Sequence, residues 1–199
     1  MATEVQICAA VEGLVDEAVV RRLLEHVGAA PGPVYGKQGK AALRQKIMGY
    51  NNAAQREPWV VLVDLDRDHD CAPPLRDAWL PHPAPRLCFR VAVHEVEAWL
   101  LADAERLAAF LGVARSRVSQ DPESLVDPKV AMVNLARSSR RGDIRDDMVP
   151  RAQGEREVGP AYSSRLIEFV SQRWRPEQAA RHSESLRRAI ECLRRLAEM

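Results

Sequence analysis

The chain has 199 residues, 46% of them hydrophobic, enough to bury one core with an added helical layer. No apolar run approaches the roughly 20 residues of a membrane span, and the first residues alternate apolar and charged groups too early for a secretory leader, so a cytoplasmic protein with no membrane partner is expected. The net charge of +1 hides a division, because residues 1–128 hold 14 basic and 18 acidic side chains (net −4) while residues 129–199 hold 15 and 10 (net +5), a split that suits an acidic metal site beside a basic, polyanion-steering surface.

Residues 4–11 are an apolar-rich run that stops at Glu12-Gly13, as a buried strand does at a turn. A helix follows over 15–27, with Ala18, Val19, Leu23 and Val27 at helical spacing and Gly28 at the C′ position. Val34-Tyr35 reads as a brief second strand, and Lys40 to Ala54 as a second helix after the loop Gly36-Lys37-Gln38-Gly39. Residues 59–63 are the strongest strand, β-branched and apolar, and run directly into Asp64-Leu65-Asp66. Residues 87–93 run in the same way into His94-Glu95-Val96-Glu97.

Strands separated by helices imply right-handed crossovers and a parallel sheet. Beyond Glu97 the pattern is helical, with Asp103 as an N-cap for a helix closing at Gly112 and Asp127-Pro128 opening another. Residues 140–159 are charged and aperiodic, which predicts a flexible surface loop. A helix opens at Pro160, and Leu186, Ile190, Leu193 and Ala197 mark a last amphipathic one. The reading is an α/β core over 1–112 with a helical C-terminal extension over 113–199 packed on it. Cys8, Cys71, Cys88 and Cys192 lack a CxxC pair or a histidine at finger spacing, which predicts buried thiols and neither a zinc site nor a disulfide framework.

Ligands of parallel sheets bind beyond the carboxyl ends of the strands, where three strand ends here terminate in acid. Hard cations such as Mg²⁺ take oxygen ligands, one or two carboxylates with waters and phosphates completing the shell. Asp64 and Asp66 lie two apart and point the same way in extended backbone, and Glu12 ends the neighbouring run. One such acid alone would be read as a turn former or helix cap. Asp16, one helical turn after Glu12, is a candidate for a second ion or a helix-dipole partner, whereas Glu17 is expected to face solvent. The tract Asp64-x-Asp66-x-Asp68-x-Asp70 is no EF-hand, because His69 and Leu75 stand where its glycine and bidentate glutamate belong. Asp68, His69 and Asp70 are therefore loop residues. Lys129 sits at a helix start, where the dipole disfavours a cation.

Val11-Glu12-Gly13 with Asp16-Glu17, then Val63-Asp64-Leu65-Asp66, resembles the TOPRIM domain of topoisomerases, primases and the overcoming-lysogenization-defect (OLD) nucleases. The segment from Glu95 to Asp103 is similar to that of a compact bacterial TOPRIM-like family of defence-associated proteins. The resemblance spans most of the chain and is clearest over residues 4–103. It implies a TOPRIM-like, Rossmann-like α/β fold and Mg²⁺- or Mn²⁺-dependent hydrolysis of DNA or RNA, in antiphage defence with a partner ATPase. It further implies metal ligation by Glu12, Asp16, Asp64, Asp66, Glu95 and Glu97, with Glu12 and Lys129 as the catalytic pair. The chain departs by carrying Asp16 where Glu is usual, and no ATPase domain accompanies the core. Tyr35, Tyr50 and Tyr162 have no partner domain that would suggest a topoisomerase. The other readings are a non-cleaving module that binds nucleic acid or a partner, and a metal-dependent nucleotide phosphatase.

Overall fold

Strands β1 (Gln6–Val11), β2 (Ala30–Gly36), β3 (Trp59–Asp64) and β4 (Leu87–Ala92) hydrogen-bond as one parallel sheet in the order β2-β1-β3-β4. The computed structural model describes residues 4–66, 68–151 and 156–199. Side chains alternate across the strands. Ile7, Ala9, Val60, Leu62 and Cys88 face one core, and Cys8, Ala10, Val61, Val63 and Phe89 face a second. Burial on both faces explains why these strands read as unbroken apolar runs.

Helix α1 (Leu14–His26) covers the first face through Val19, Val20, Leu23 and Leu24. Helices α2 (Lys40–Ala53) and α3 (Ala72–Trp79) cover the second through Leu43, Ile47, Leu75 and Trp79. The chain steps outward from β1 to β2, then crosses back past β1 to form β3, so strand order reverses between β1 and β3. A crevice opens at such a reversal, beyond the strands' carboxyl ends. Glu12 and Asp64 stand on its two sides. The loop after β2 is tied down there, with Lys37 donating its amide to the Val11 carbonyl (2.9 Å) and Gly39 to that of Glu12 (3.0 Å). Gly36 has φ 89°, and a Cβ there would press into the Val11 carbonyl, so only glycine lets this turn close.

The later helices are α4 (Val96–Leu101), α5 (Ala104–Leu111), α6 (Pro128–Arg137), α7 (Gly142–Met148), α8 (Tyr162–Gln172), α9 (Pro176–Ala179) and α10 (Glu184–Ala197). They share the first-face core, where Trp99, Phe169 and Trp174 are fully buried. α8 packs on α1, and α10 lies along β4. Trp99 Nε1 donates to Ser185 Oγ at 2.7 Å, and Trp174 Nε1 donates to the Trp99 carbonyl at 3.3 Å. Among the described residues no helix is long and apolar enough to cross a membrane.

Four expectations need correction. Residues 142–148 form a helix, anchored by buried Ile144 and Met148 one turn apart, within the stretch expected to be loop; positions 152–155 of that stretch lie outside the described residues. Asp103 holds the N-cap position of α5, but its carboxylate turns away to Arg175, accepting from the backbone amide (2.9 Å), Nε (3.1 Å) and Nη2 (2.7 Å). Glu17 is largely shielded, bridging Arg21 (2.8 Å) and Lys37 (3.0 Å). Cys88 and Cys192 are paired as a disulfide with Cα atoms 6.0 Å apart, tying β4 to α10, while Cys8 is a buried thiol and Cys71 an exposed one.

Candidate functional site

The acids converge because each closes a strand or opens a helix at the same end of the sheet. Glu12 Oε1 accepts the Asp64 backbone N–H at 2.9 Å, joining the two sides of the crevice. Asp64 Oδ1 in turn accepts the Val96 N–H at 3.0 Å, so it serves as the cap of α4 from the neighbouring strand. Asp16 is buried in the first turn of α1, and its Oδ1 has no hydrogen-bond partner. Glu97, in the first turn of α4, is 4% exposed and accepts the Tyr162 hydroxyl proton at 3.1 Å. A cleft of about 450 Å³ is lined by Asp16, Asp64, Glu97, Lys129 and Tyr162.

Two of the expected residues turn to an adjoining cleft of about 360 Å³, lined by Asp66, Glu95, His94 and Asp68. Asp66 pairs with Lys40 Nζ at 2.8 Å, and the same ammonium reaches Asp68 at 2.8 Å and the Leu65 carbonyl at 3.2 Å. Glu95 accepts the Lys129 backbone N–H at 2.9 Å and pairs with its ammonium, capping α6 while neutralising itself. Asp66 (φ 51°) and His94 (φ 59°) both adopt the left-handed conformation, and the Asp66 N–H donates to the His94 carbonyl at 2.8 Å. Backbone in this region is costly for residues with a Cβ, and here it sits where two strand ends meet beside the acids.

The electrostatics are those of crowded, partly desolvated acids. Burial raises the Glu12 pKa to about 7, and Asp16 and Asp66 add to the effect against the opposing Asp64 amide and Lys40. Burial likewise raises Glu97 to about 7, with Lys129 opposing and Glu95 and Asp16 reinforcing. Asp64 is pushed well above the usual carboxylate range by burial and then by Asp16, Glu97, Glu12 and Asp66. Asp16 is raised by burial, although the backbone amides of Gly13 and Asp16 favour its charge. Lys129 is raised despite its burial, because Glu97 and Glu95 hold its proton. Tyr162 is raised well above its ordinary value by burial and by Glu97. Lys40 and Lys129 offset part of the carboxylates' charge.

Among the described residues, no group of three or more His, Cys, Asp or Glu side chains is placed so that it could hold a metal ion. The donor chemistry nonetheless suits a hard divalent cation: every candidate is a carboxyl, Asp16 Oδ1 is buried without a partner, and the like charges raise one another's pKa values. Uptake of an ion would require side-chain rotation, since Asp66 and Glu95 are now engaged by lysines.

Lys40, Tyr162 and Asp68 join the constellation without having been expected there. A cation in the first turn of α2 carries the same signal that singled out Lys129. Tyr162 lies 65 residues from Glu97 and leaves no local trace in the sequence. Compared with known proteins, the chain matches no family model, no curated protein and no solved structure.

Proposed function

We propose that this site takes up Mg²⁺ or Mn²⁺ and that the protein hydrolyses phosphodiester bonds of nucleic acid. The observation that carries the reading is the gathering of Glu12, Asp16, Asp64 and Glu97 at the sheet's reversal point, each with its pKa raised by burial and by neighbouring acids. Crowded carboxyls are costly unless a cation or protons compensate them. Glu12, Asp64 and Asp66 are the first ligand set, with Asp16, Glu97 and Glu95 available to a second ion. A bound divalent ion supplies Lewis-acid polarisation of a phosphoryl oxygen and a water acidified toward neutral pH.

The chain's own groups do the rest. Glu12 binds the Asp64 amide through Oε1, which leaves Oε2 for the ion or for a proton of the attacking water. Lys129 places a permanent positive charge on the cleft wall, suited to the charge that accumulates on a phosphoryl group. Tyr162 fixes the orientation of Glu97. Asp64 and Glu95 hold the starts of α4 and α6 against the crevice, so the acids stand on rigid elements.

The test is incubation of the chain with labelled single-stranded DNA, duplex DNA, RNA and nucleoside triphosphates, with Mg²⁺, Mn²⁺ or EDTA. Metal-dependent cleavage of a strand, abolished by Glu12→Gln, supports the reading. Phosphate release from nucleotides alone would make the protein a phosphatase. Strand binding with no cleavage under any metal would leave a binding module and sink the enzyme.

A further inference from the structure

β4 is an edge strand, paired with β3 on one side only. Arg90 lies in its middle, opposite Leu62, on the same face as Cys88 and Ala92. Its Nε is buried and has no hydrogen-bond partner, and the Nε of Arg76 on α3 is in the same condition. α10 runs antiparallel along this strand. Ser185 Oγ meets the Val93 amide at 3.4 Å at one end, and Cys192 meets Cys88 further down. Arg188 and Arg195, seven residues apart, therefore sit two turns apart on α10 and line the edge around Arg90.

These guanidiniums are poorly balanced. Arg188 Nε bonds Glu184 at 2.7 Å, and Glu191, the acid that bears on Arg90, is itself bonded by Arg187. Among the described residues, Arg76, Arg90 and Arg195 have no ion pair. Burial, and then Arg76, Arg188 and Arg195, pull the Arg90 pKa down to about 10. Charged residues on an edge strand commonly serve to block pairing with another sheet. That role explains an exposed arginine, but not two half-buried ones whose Nε atoms lack a partner and so weaken the fold.

We propose that the β4 edge binds the phosphodiester backbone of nucleic acid, with Arg76, Arg90, Arg188 and Arg195 taking phosphate oxygens. Guanidinium forks match phosphate geometry, and the array lies along the strand whose carboxyl end leads into Glu95 and Glu97, so a bound backbone would run toward the carboxylates. The inference rests on the nucleic-acid part of the proposed function and adds a docking track outside the two clefts.

The test is fluorescence anisotropy of a labelled DNA oligonucleotide in EDTA across a salt series, with the intact chain and two variants. Arg90→Leu and Arg195→Glu are each expected to weaken binding roughly tenfold and to flatten the dependence of log Kd on log salt by about 0.7–1. Arg90→Leu is also expected to raise the Tm of the free protein, because it removes a buried charge without an ion pair, whereas loss of a merely structural arginine would lower it. Arg195 is exposed, so its substitution leaves the fold intact and keeps the binding measurement decisive. Arginine-dependent binding by a parent chain that cleaves no strand under any metal would fault only the hydrolytic reading. Unchanged affinity and salt slope in both arginine variants, or competition by inorganic phosphate as effective as that by unlabelled oligonucleotide, would overturn the track.

Discussion

Replacing Glu97 by Gln isolates the cost of the acidic crowd. The amide keeps the shape of the side chain and an oxygen for the Tyr162 hydroxyl, and it removes the charge. The Glu97 pKa is raised from 4.5 to about 7, so the folded chain holds this proton more tightly than the unfolded chain. The stability that the neutral carboxyl contributes is therefore complete below about pH 4.5 and is lost as pH rises through about 7. At about 1.4 kcal/mol per pH unit the loss amounts to roughly 3 kcal/mol. Glu97→Gln escapes it. In EDTA the variant should match the parent near about pH 4.5 and exceed it by roughly 3 kcal/mol at about pH 8, a Tm difference of roughly 6–12 °C for a chain of this size. Thermal and urea denaturation at the two pH values measure it. A variant less stable than the parent at the higher pH, or a difference independent of pH, would refute the reasoning.

Lys129→Met removes the cation that compensates Glu95 and Glu97, so metal-free stability should fall by about 1–2 kcal/mol at about pH 8 and by less at about pH 5, as urea melts at both values would show. Breaking the Cys88–Cys192 bond frees a loop of 104 residues and should cost about 2–4 kcal/mol, read as a lower Tm in reductant. Thiol labelling of the native, unreduced protein should modify Cys71 alone.

The sheet was legible because strands buried on both faces carry continuous apolar, β-branched runs, and the acids stood out because Glu12 and Asp64 follow those runs directly and Glu95 follows one residue later. What escaped was long-range or sparsely encoded. Lys40 reaches Asp66 and Asp68 only through the packing of α2 against β3, and this turned Asp68 from a loop acid into a member of an ion triad. Helix α7 carries two apolar anchors, Ile144 and Met148, among charged residues, too few to show a helical period. Asp103 has the right position to cap α5 but finds a stronger partner in Arg175, 72 residues away. The pairing of Cys88 with Cys192 follows from α10 lying on β4, which spacing alone does not encode. Arg90 was readable in principle, as a lone charge inside an otherwise apolar strand, and that charge is what points to the basic edge.

Isothermal titration of the metal-free chain with Mg²⁺ and Mn²⁺, followed by thermal melts at saturation, bears most directly on the strand-end carboxylates. Saturable binding that releases protons near neutral pH and raises Tm is expected, since an ion bound only by the folded state at about 100 times its Kd adds about 2.7 kcal/mol. Glu12→Gln and Asp64→Asn should lose both the heat and the Tm shift while remaining folded. Absence of saturable binding by the parent, or binding that both variants retain in full, would contradict a metal centre at the reversal of the sheet.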